Sequence, residues 1–158
     1  MTDQLATLTH EGDVSIITLN DGKANVFSAA MSNTIHSLLD EVPHDSGSLL
    51  ITGKPGLFSA GFDLKTIQGG DPKAAVEMTT AGFKLLSRVY SFPRPVVAAS
   101  SGHAIALGAF LLCCADYRIG ATGKDRIIGE KVCFFQWKPF LSNGDALIGG
   151  PIGDIIAI

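Results

Sequence analysis

An α/β layered domain is the fold class that this 158-residue chain predicts. Three observations carry it. A β-rich run followed by a helical pattern recurs three times, the order expected of strands and helices stacked in layers. Residues 96–115 carry no charge and read as a short buried strand, a turn around Gly102 and a buried helix starting near Ala106. Apolar residues make up 46% of the chain and charged residues 17%, which suits one domain with a real hydrophobic core and not a disordered polymer.

The elements follow in order. Residues 5–10 alternate weakly, residues 14–19 are β-rich, and Glu11-Gly12-Asp13 between them reads as the turn of an antiparallel hairpin. Asn20-Asp21-Gly22-Lys23 closes the hairpin with turn chemistry, and residues 24–27 then cross as a loop. Ser28 is placed to cap a helix running to about Glu41, with Met31, Ile35, Leu38 and Leu39 on one face. Pro43 and Gly47 end it, and residues 48–53 form a short buried strand. A second loop occupies residues 54–65. Asp71-Pro72 opens a helix that continues to about Tyr90, since a proline at the first helical position loses no hydrogen bond. Its apolar residues are Val76, Phe83, Leu86 and Val89. Pro93 and Pro95 break the chain before the uncharged run, and residues 117–121 read as a strand after it. From Lys124 to Ile158 the sequence has aromatics and a Gly-rich apolar end but no clear helical period.

Composition also sets aside several functions. A net charge of -3 without a basic run argues against a nucleic-acid binder, which needs a clustered basic face. Cys113 and Cys114 are adjacent and Cys133 stands alone, which is neither a disulfide framework nor a zinc spacing. No metal site is predicted, and a reducing, cytoplasmic compartment is the simpler expectation. The first residues show no basic start and no apolar leader, so no signal peptide is read. The uncharged run is long enough for a membrane span. Ser100, Ser101, Gly102 and His103 near its middle, and Arg94 as its single basic flank, favour a buried core segment, and no membrane partner is expected.

The helix that begins near Ala106 points free backbone N–H groups at whatever lies over its first turn, a place where negative charge is favoured. That end of the run is the candidate chemical end of the molecule.

Two segments carry a family resemblance: Gly56-Leu57-Phe58-Ser59-Ala60-Gly61-Phe62-Asp63-Leu64, and residues 95–104 continuing through Ala115-Asp116-Tyr117-Arg118-Ile119. Together with the hairpin start and Lys23-Ala24-Asn25-Val26, they resemble the crotonase (enoyl-CoA hydratase/isomerase) superfamily over about residues 4–129. The resemblance implies a crotonase-like (ClpP/crotonase) spiral of ββα units. It also implies an acyl-CoA thioester as ligand, with coenzyme A as part of the substrate and no separate cofactor. A further implication is an oxyanion hole of two backbone N–H groups, by position those of Ala60 and Leu107. A thioester enolate concentrates negative charge on one oxygen, and two preorganised donors stabilise it where it develops. Ala24 and Val26 in one loop, and Ala60, Gly61, Phe62 and Asp63 in another, are the substrate-binding positions that the resemblance implies.

The sequence departs from the family pattern in several places. The first hydratase glutamate is matched by Phe110, which cannot move a proton. Ala106-Leu107-Gly108 replaces the expected Gly-Gly turn, so the acyl pocket is expected to narrow while the backbone donor survives. After Ile128-Gly129, the position of the isomerase glutamate is matched by Val132, and Glu130 two residues earlier is the candidate displaced base. Nothing family-like follows Gly129. Residues 1–129 therefore read as an incomplete acyl-CoA-binding core and residues 130–158 as a divergent tail. The C-terminal helices that assemble the usual trimers or hexamers of the family are expected to be missing.

The expectation is an acyl-CoA thioester-processing protein. The alternative is a catalytically inactive CoA-binding or protein-interaction fragment. A serine hydrolase acting through Ser59 is disfavoured because a nucleophile elbow needs glycine two residues earlier, where Leu57 stands. His103 reads as a pocket or core histidine and not a base, and Asp63 and Asp116 read as structural. Cys113 and Cys114 read as small core residues. Lys65 is as well explained by solvent as by a CoA phosphate.

Overall fold

The computed structural model describes residues 4–120. The first half of the element order is β1 (Ala6–Glu11), β2 (Val14–Leu19), β3 (Val26–Phe27), α1 (Ala29–Glu41), β4 (Ser48–Thr52), β5 (Gly56–Ser59) and β6 (Gly61–Phe62). Then come α2 (Leu64–Gln68), α3 (Pro72–Tyr90), β7 (Val96–Ser100), β8 (Gly102–Ala104), α4 (Leu107–Cys114) and β9 (Tyr117–Gly120). Five of the strands pair as one sheet in the order β1-β2-β4-β7-β9. Only β1 and β2 run antiparallel, with Ala6 opposite Leu19 and Glu11 opposite Val14, as the hairpin reading predicts. The other three pairings are parallel. Parallel neighbours need a crossover between them, and the helical stretches supply it.

Helix α1 begins where the sequence places it. The Ser28 hydroxyl accepts from the Met31 N–H at 3.1 Å, satisfying one of the orphan donors of the first turn. Met31, Ile35, Leu38 and Leu39 are all buried. They form one core with Ile17, Leu19, Leu49, Ile51 and Phe58 from the strands and Leu85 and Val89 from α3. The start of α3 also agrees, with Pro72 in the first turn and the Asp71 side chain accepting from the Lys73 N–H.

Its buried face is a correction. Val76 and Phe83, predicted to help form the apolar side, are 63% and 57% exposed. The helix packs instead through Met78, Gly82, Leu85 and Val89, a run spaced by four, three and four residues. A reading by apolar side chains passes over Gly82. That glycine marks the packed face because it lets neighbouring groups come close to the helix axis.

Two regions predicted as loops contain short strands. Residues 26–27 pair in parallel with residues 61–62, and β5 pairs in parallel with β8. Runs of two to four residues are too short for alternation to register in the sequence. Their partners, not their own periodicity, make them strands.

The far end of the described chain is tied to the sheet by two side chains. Asp116 Oδ2 accepts from the Val96 N–H at 2.7 Å at the entry to β7. The Arg118 guanidinium donates to the carbonyls of Leu112 (3.1 Å) and Ala115 (2.7 Å), satisfying acceptors left over at the end of α4. The small-core reading of the cysteine pair is corrected at Cys113, while Cys114 packs against the core. Cys113 is exposed and Cys114 half-buried, and burial pushes the Cys114 thiol up to about 11. Among the described residues no helix is long and apolar enough to cross a membrane.

The Asp116 contact yields a stability prediction. Asp116→Ala leaves the Val96 N–H, at a buried strand start, without its charged acceptor, and should cost about 2 kcal/mol. A shift of the urea midpoint with unchanged slope checks it.

Candidate functional site

The site is built around one buried amide. Asn25 is fully buried and its φ is +49°, a left-handed conformation that asparagine tolerates better than most residues. Its side-chain Nδ2 donates to the carbonyls of Leu19 (3.1 Å) and Phe58 (3.0 Å), while Oδ1 accepts from the Asp21 N–H (3.1 Å). Its own carbonyl accepts from the Ser59 hydroxyl at 2.6 Å. Loop residues 20–25 are thereby fastened to the end of β2 and to β5 at once.

Asp21 secures the same loop from outside. Its carboxylate accepts from the N–H groups of Lys23 (2.7 Å), Asn25 (2.8 Å) and Val26 (3.0 Å). Partial burial works against ionisation of this carboxyl. The three N–H donors and the nearby Lys54 ammonium outweigh it and hold Asp21 below the ordinary carboxylate range.

Ser59 carries the connection onward. Its hydroxyl also accepts from the Gly61 N–H at 3.0 Å, and its carbonyl accepts from the Ile105 N–H at 2.8 Å. With no exposed surface and both hydroxyl roles in use, Ser59 is a joint and not a nucleophile. A side chain at Gly108 would come within 2.8 Å of Ser59 Cβ, so the first turn of α4 lies directly against this residue.

Gly61 brings the loop to the helix start. Its φ is +84°, and a Cβ there would stand 2.7 Å from the Ile105 carbonyl oxygen and 3.3 Å from the Leu107 nitrogen. No larger residue fits that approach. Leu107 is the first residue of α4, so its N–H has no acceptor within the helix. It follows Ala106, whose φ of +48° and ψ of -115° lie where L side chains are rarely found. Such a conformation costs about 1–3 kcal/mol and tends to persist where surrounding contacts enforce it.

The structure brings Ala24, Val26, Ala60, Gly61, Phe62 and Leu107 together. Strands β3 and β6 pair Val26 with Gly61 and Phe27 with Phe62. One predicted role is corrected. The Ala60 N–H donates to the Ala24 carbonyl at 3.0 Å, so in this arrangement it ties the two loops together and is not available to a ligand oxygen. Asp63 caps α2, accepting from the Lys65 N–H and the Thr66 hydroxyl, which is the turn-forming role read from the sequence. Phe110 lies on α4, half-buried against the core. Glu130, Val132 and the whole of residues 130–158 lie outside the described residues.

The expected narrowing at Leu107 also takes a different form. Its side chain is 1% exposed and turned onto α3, where a Cβ at Gly82 would meet Leu107 Cδ2 at 2.8 Å and the Phe62 ring at 2.7 Å. Sequence reasoning missed Gly82, Asn25, Asp21 and Ser59 as parts of the site. The available signal was the polar cluster Asn20-Asp21-Gly22-Lys23-Ala24-Asn25, too rich in side-chain acceptors for a simple hairpin exit. Among the described residues no cluster of three His, Cys, Asp or Glu could hold a metal ion.

Comparison with known proteins agrees with this geometry. The family model for enoyl-CoA hydratase/isomerase matches residues 9–127. A peroxisomal enoyl-CoA delta isomerase 2 of Arabidopsis thaliana is 33% identical over 121 residues, covering 72% of this chain and 50% of the relative. A carnitinyl-CoA dehydratase of Salmonella arizonae is 33% identical over 120 residues, covering 70% of this chain and 45% of its own. Among solved structures, an enoyl-CoA hydratase of Mycobacterium ulcerans superposes with a TM-score of 0.74 at 40% identity, over 82% of this chain and 57% of that one. The chain thus spans about half the length of the curated relatives it matches.

Two predictions follow from the loop and the helix start. Because Asp21 ionises more readily folded than unfolded, its contribution is present above the ordinary carboxylate value of 3.8 and is lost as pH falls through its lower folded value. Asp21→Asn should therefore cost roughly 1 kcal/mol at pH 7 and progressively less below pH 4, measured by urea unfolding across pH. Ala106→Gly should raise stability by roughly 1 kcal/mol, because relief of the positive φ exceeds the glycine entropy cost of about 0.5–1 kcal/mol. The same urea titration reads it.

Proposed function

Starting from the fact that this chain belongs to the enoyl-CoA hydratase/isomerase family, we propose that it binds an acyl-CoA thioester over the first turn of α4 and stabilises the enolate form of that thioester. The observation that carries the reading is the close approach of Gly61 to Leu107. It sets a strand-and-loop segment against the N-terminus of a buried helix, with only the Ala106 methyl beside the approach. In this reading the Leu107 N–H donates to the thioester oxygen, helped by the helix dipole as negative charge develops there. Ala60 contributes by holding the loop through Ala24, and the second donor moves along the same segment to Phe62, the residue past Gly61. The paired β3–β6 segments, with Ala24 and Val26 on one side and Gly61 to Asp63 on the other, form the wall along which the pantetheine and adenine portions lie.

The proton-transfer step is assigned more narrowly. Phe110 occupies the position that a hydratase glutamate takes in the resemblance, so two-glutamate addition of water is not part of the proposal. Glu130 is the base proposed for an isomerase-type proton transfer at the carbon next to the thioester. The same phenylalanine favours a second reading, in which the chain binds the thioester without turning it over.

Titration calorimetry of the purified chain with a non-hydrolysable acyl-CoA analogue tests the common part of both readings. Dissociation constants of order micromolar are expected. A folded sample that takes up no ligand would overturn both. Given binding, Glu130→Gln separates them: loss of a measurable isomerase rate with unchanged affinity supports the enzyme, and absence of any rate in the parent chain supports the binding protein.

A further inference from the structure

We infer that Gly82, on α3 and outside the segments that carry the family resemblance, is a positioning residue for the proposed thioester site. The inference rests on that acyl-CoA reading. Two side chains, one from each segment that would grip the thioester oxygen, converge on this glycine. A Cβ on Gly82 would lie 2.7 Å from Phe62 Cε1, 3.1 Å from Phe62 Cζ and 2.8 Å from Leu107 Cδ2. Real Cβ atoms essentially never show the two contacts under 3.0 Å, and two of the three partners are atoms of one aromatic ring. The Phe62 ring meets Phe83 edge-on, with ring centroids 6.0 Å apart and the planes inclined at 65°.

Gly82 is also buried in the middle of a 19-residue helix, where glycine is less favourable than alanine. That cost is offset by the space it opens. Leu107 stands where the resemblance expects glycine, and its side chain would otherwise have to enter the thioester site or push α4 outward. The notch at Gly82 takes the side chain in, leaving it 1% exposed. The backbone of Leu107 can then sit 3.3 Å from the Cβ position of Gly61. Spacing between the Phe62 and Leu107 backbones is thus set by a residue that touches neither the backbone donors nor the ligand. Leucine at 107 and glycine at 82 form one steric unit, and any gain in volume on α3 is transmitted to the two segments that flank the oxygen.

The test compares two ligands on four proteins by calorimetry: the acyl-CoA analogue, and free coenzyme A, which has no thioester oxygen. The proteins are the parent chain, Gly82→Ala, Leu107→Ala and the double variant. Gly82→Ala should weaken the analogue about tenfold, the loss expected when one strong hydrogen bond is misaligned, and free coenzyme A less than about threefold. Leu107→Ala in the Gly82→Ala background should restore analogue affinity to within about threefold of the parent, because it removes the 2.8 Å contact and leaves space beside the new methyl into which the Phe62 ring can turn. Equal weakening of both ligands by Gly82→Ala would overturn the inference, since a general loosening of the fold does not distinguish them. Failure of the double variant to recover would overturn it as well. If Gly82→Ala does not fold, recovery of both folding and analogue binding in the double variant supports the steric unit, and recovery of folding alone counts against the positioning role. A parent chain that binds free coenzyme A but not the analogue more tightly removes the thioester reading itself, and is separable from all of these outcomes.

Discussion

A single buried amide fixes the relation between parts of the chain that are distant in sequence. The Asn25 side chain bridges the end of β2 and the carbonyl of Phe58 in β5, and its backbone carbonyl holds the Ser59 hydroxyl. Leaving these groups unpaired in the core would cost a few kcal/mol in total, so the loop has one arrangement and not a family of them. Ser59 then passes the constraint to Gly61 through its hydroxyl and to Ile105 through its carbonyl. The helix that begins at Leu107 is positioned by this sequence of contacts. All members are uncharged. Only Asp21, outside the core of the network, changes its charge with pH.

The network also accounts for the strain beside it. Ala106 is held at a positive φ between two anchored neighbours: the Ile105 N–H bonds to Ser59, and the Gly108 N–H bonds back to the Ile105 carbonyl. A turn made of glycines would reach this conformation at little cost. Here the chain retains a methyl at 106 and an isobutyl at 107, and accommodates them by contacts on both sides, Gly61 facing the first and Gly82 the second. Conformational cost at the helix start and vacancy on α3 are two parts of one packing solution.

The sequence made the five-stranded sheet and the helices α1, α3 and α4 legible because each has a length or a start signal that can be read locally, whereas the five residues of α2 are too few to show a period. The hairpin, the cap at Ser28, the start at Pro72 and the buried helix after Gly102 all rest on such local signals. The active face of α3 was not legible, since its central contact is made by the absence of a side chain at Gly82. The short strands β3, β5, β6 and β8 were not legible either, because they are defined by partners elsewhere in the chain. At the candidate site, the resemblance picked out segments that the structure places side by side. Which N–H groups are committed depends on hydrogen bonds between loops, such as that from Ala60 to Ala24, and no residue type announces those.

The order of strands in the sheet, β1-β2-β4-β7-β9, is also their order along the chain. Among the described residues no strand is inserted between two that precede it. During synthesis each new strand can therefore dock on the edge left open by the one before, and an interruption leaves a smaller sheet with the same inner pairings. Only the first pairing is local, and each later one must wait for its crossover to emerge. Until then the open edge offers unpaired backbone groups to any other extended chain nearby. While α3, the longest crossover helix among the described residues, is emerging, β4 has no outer neighbour and its edge is open to such mispairing.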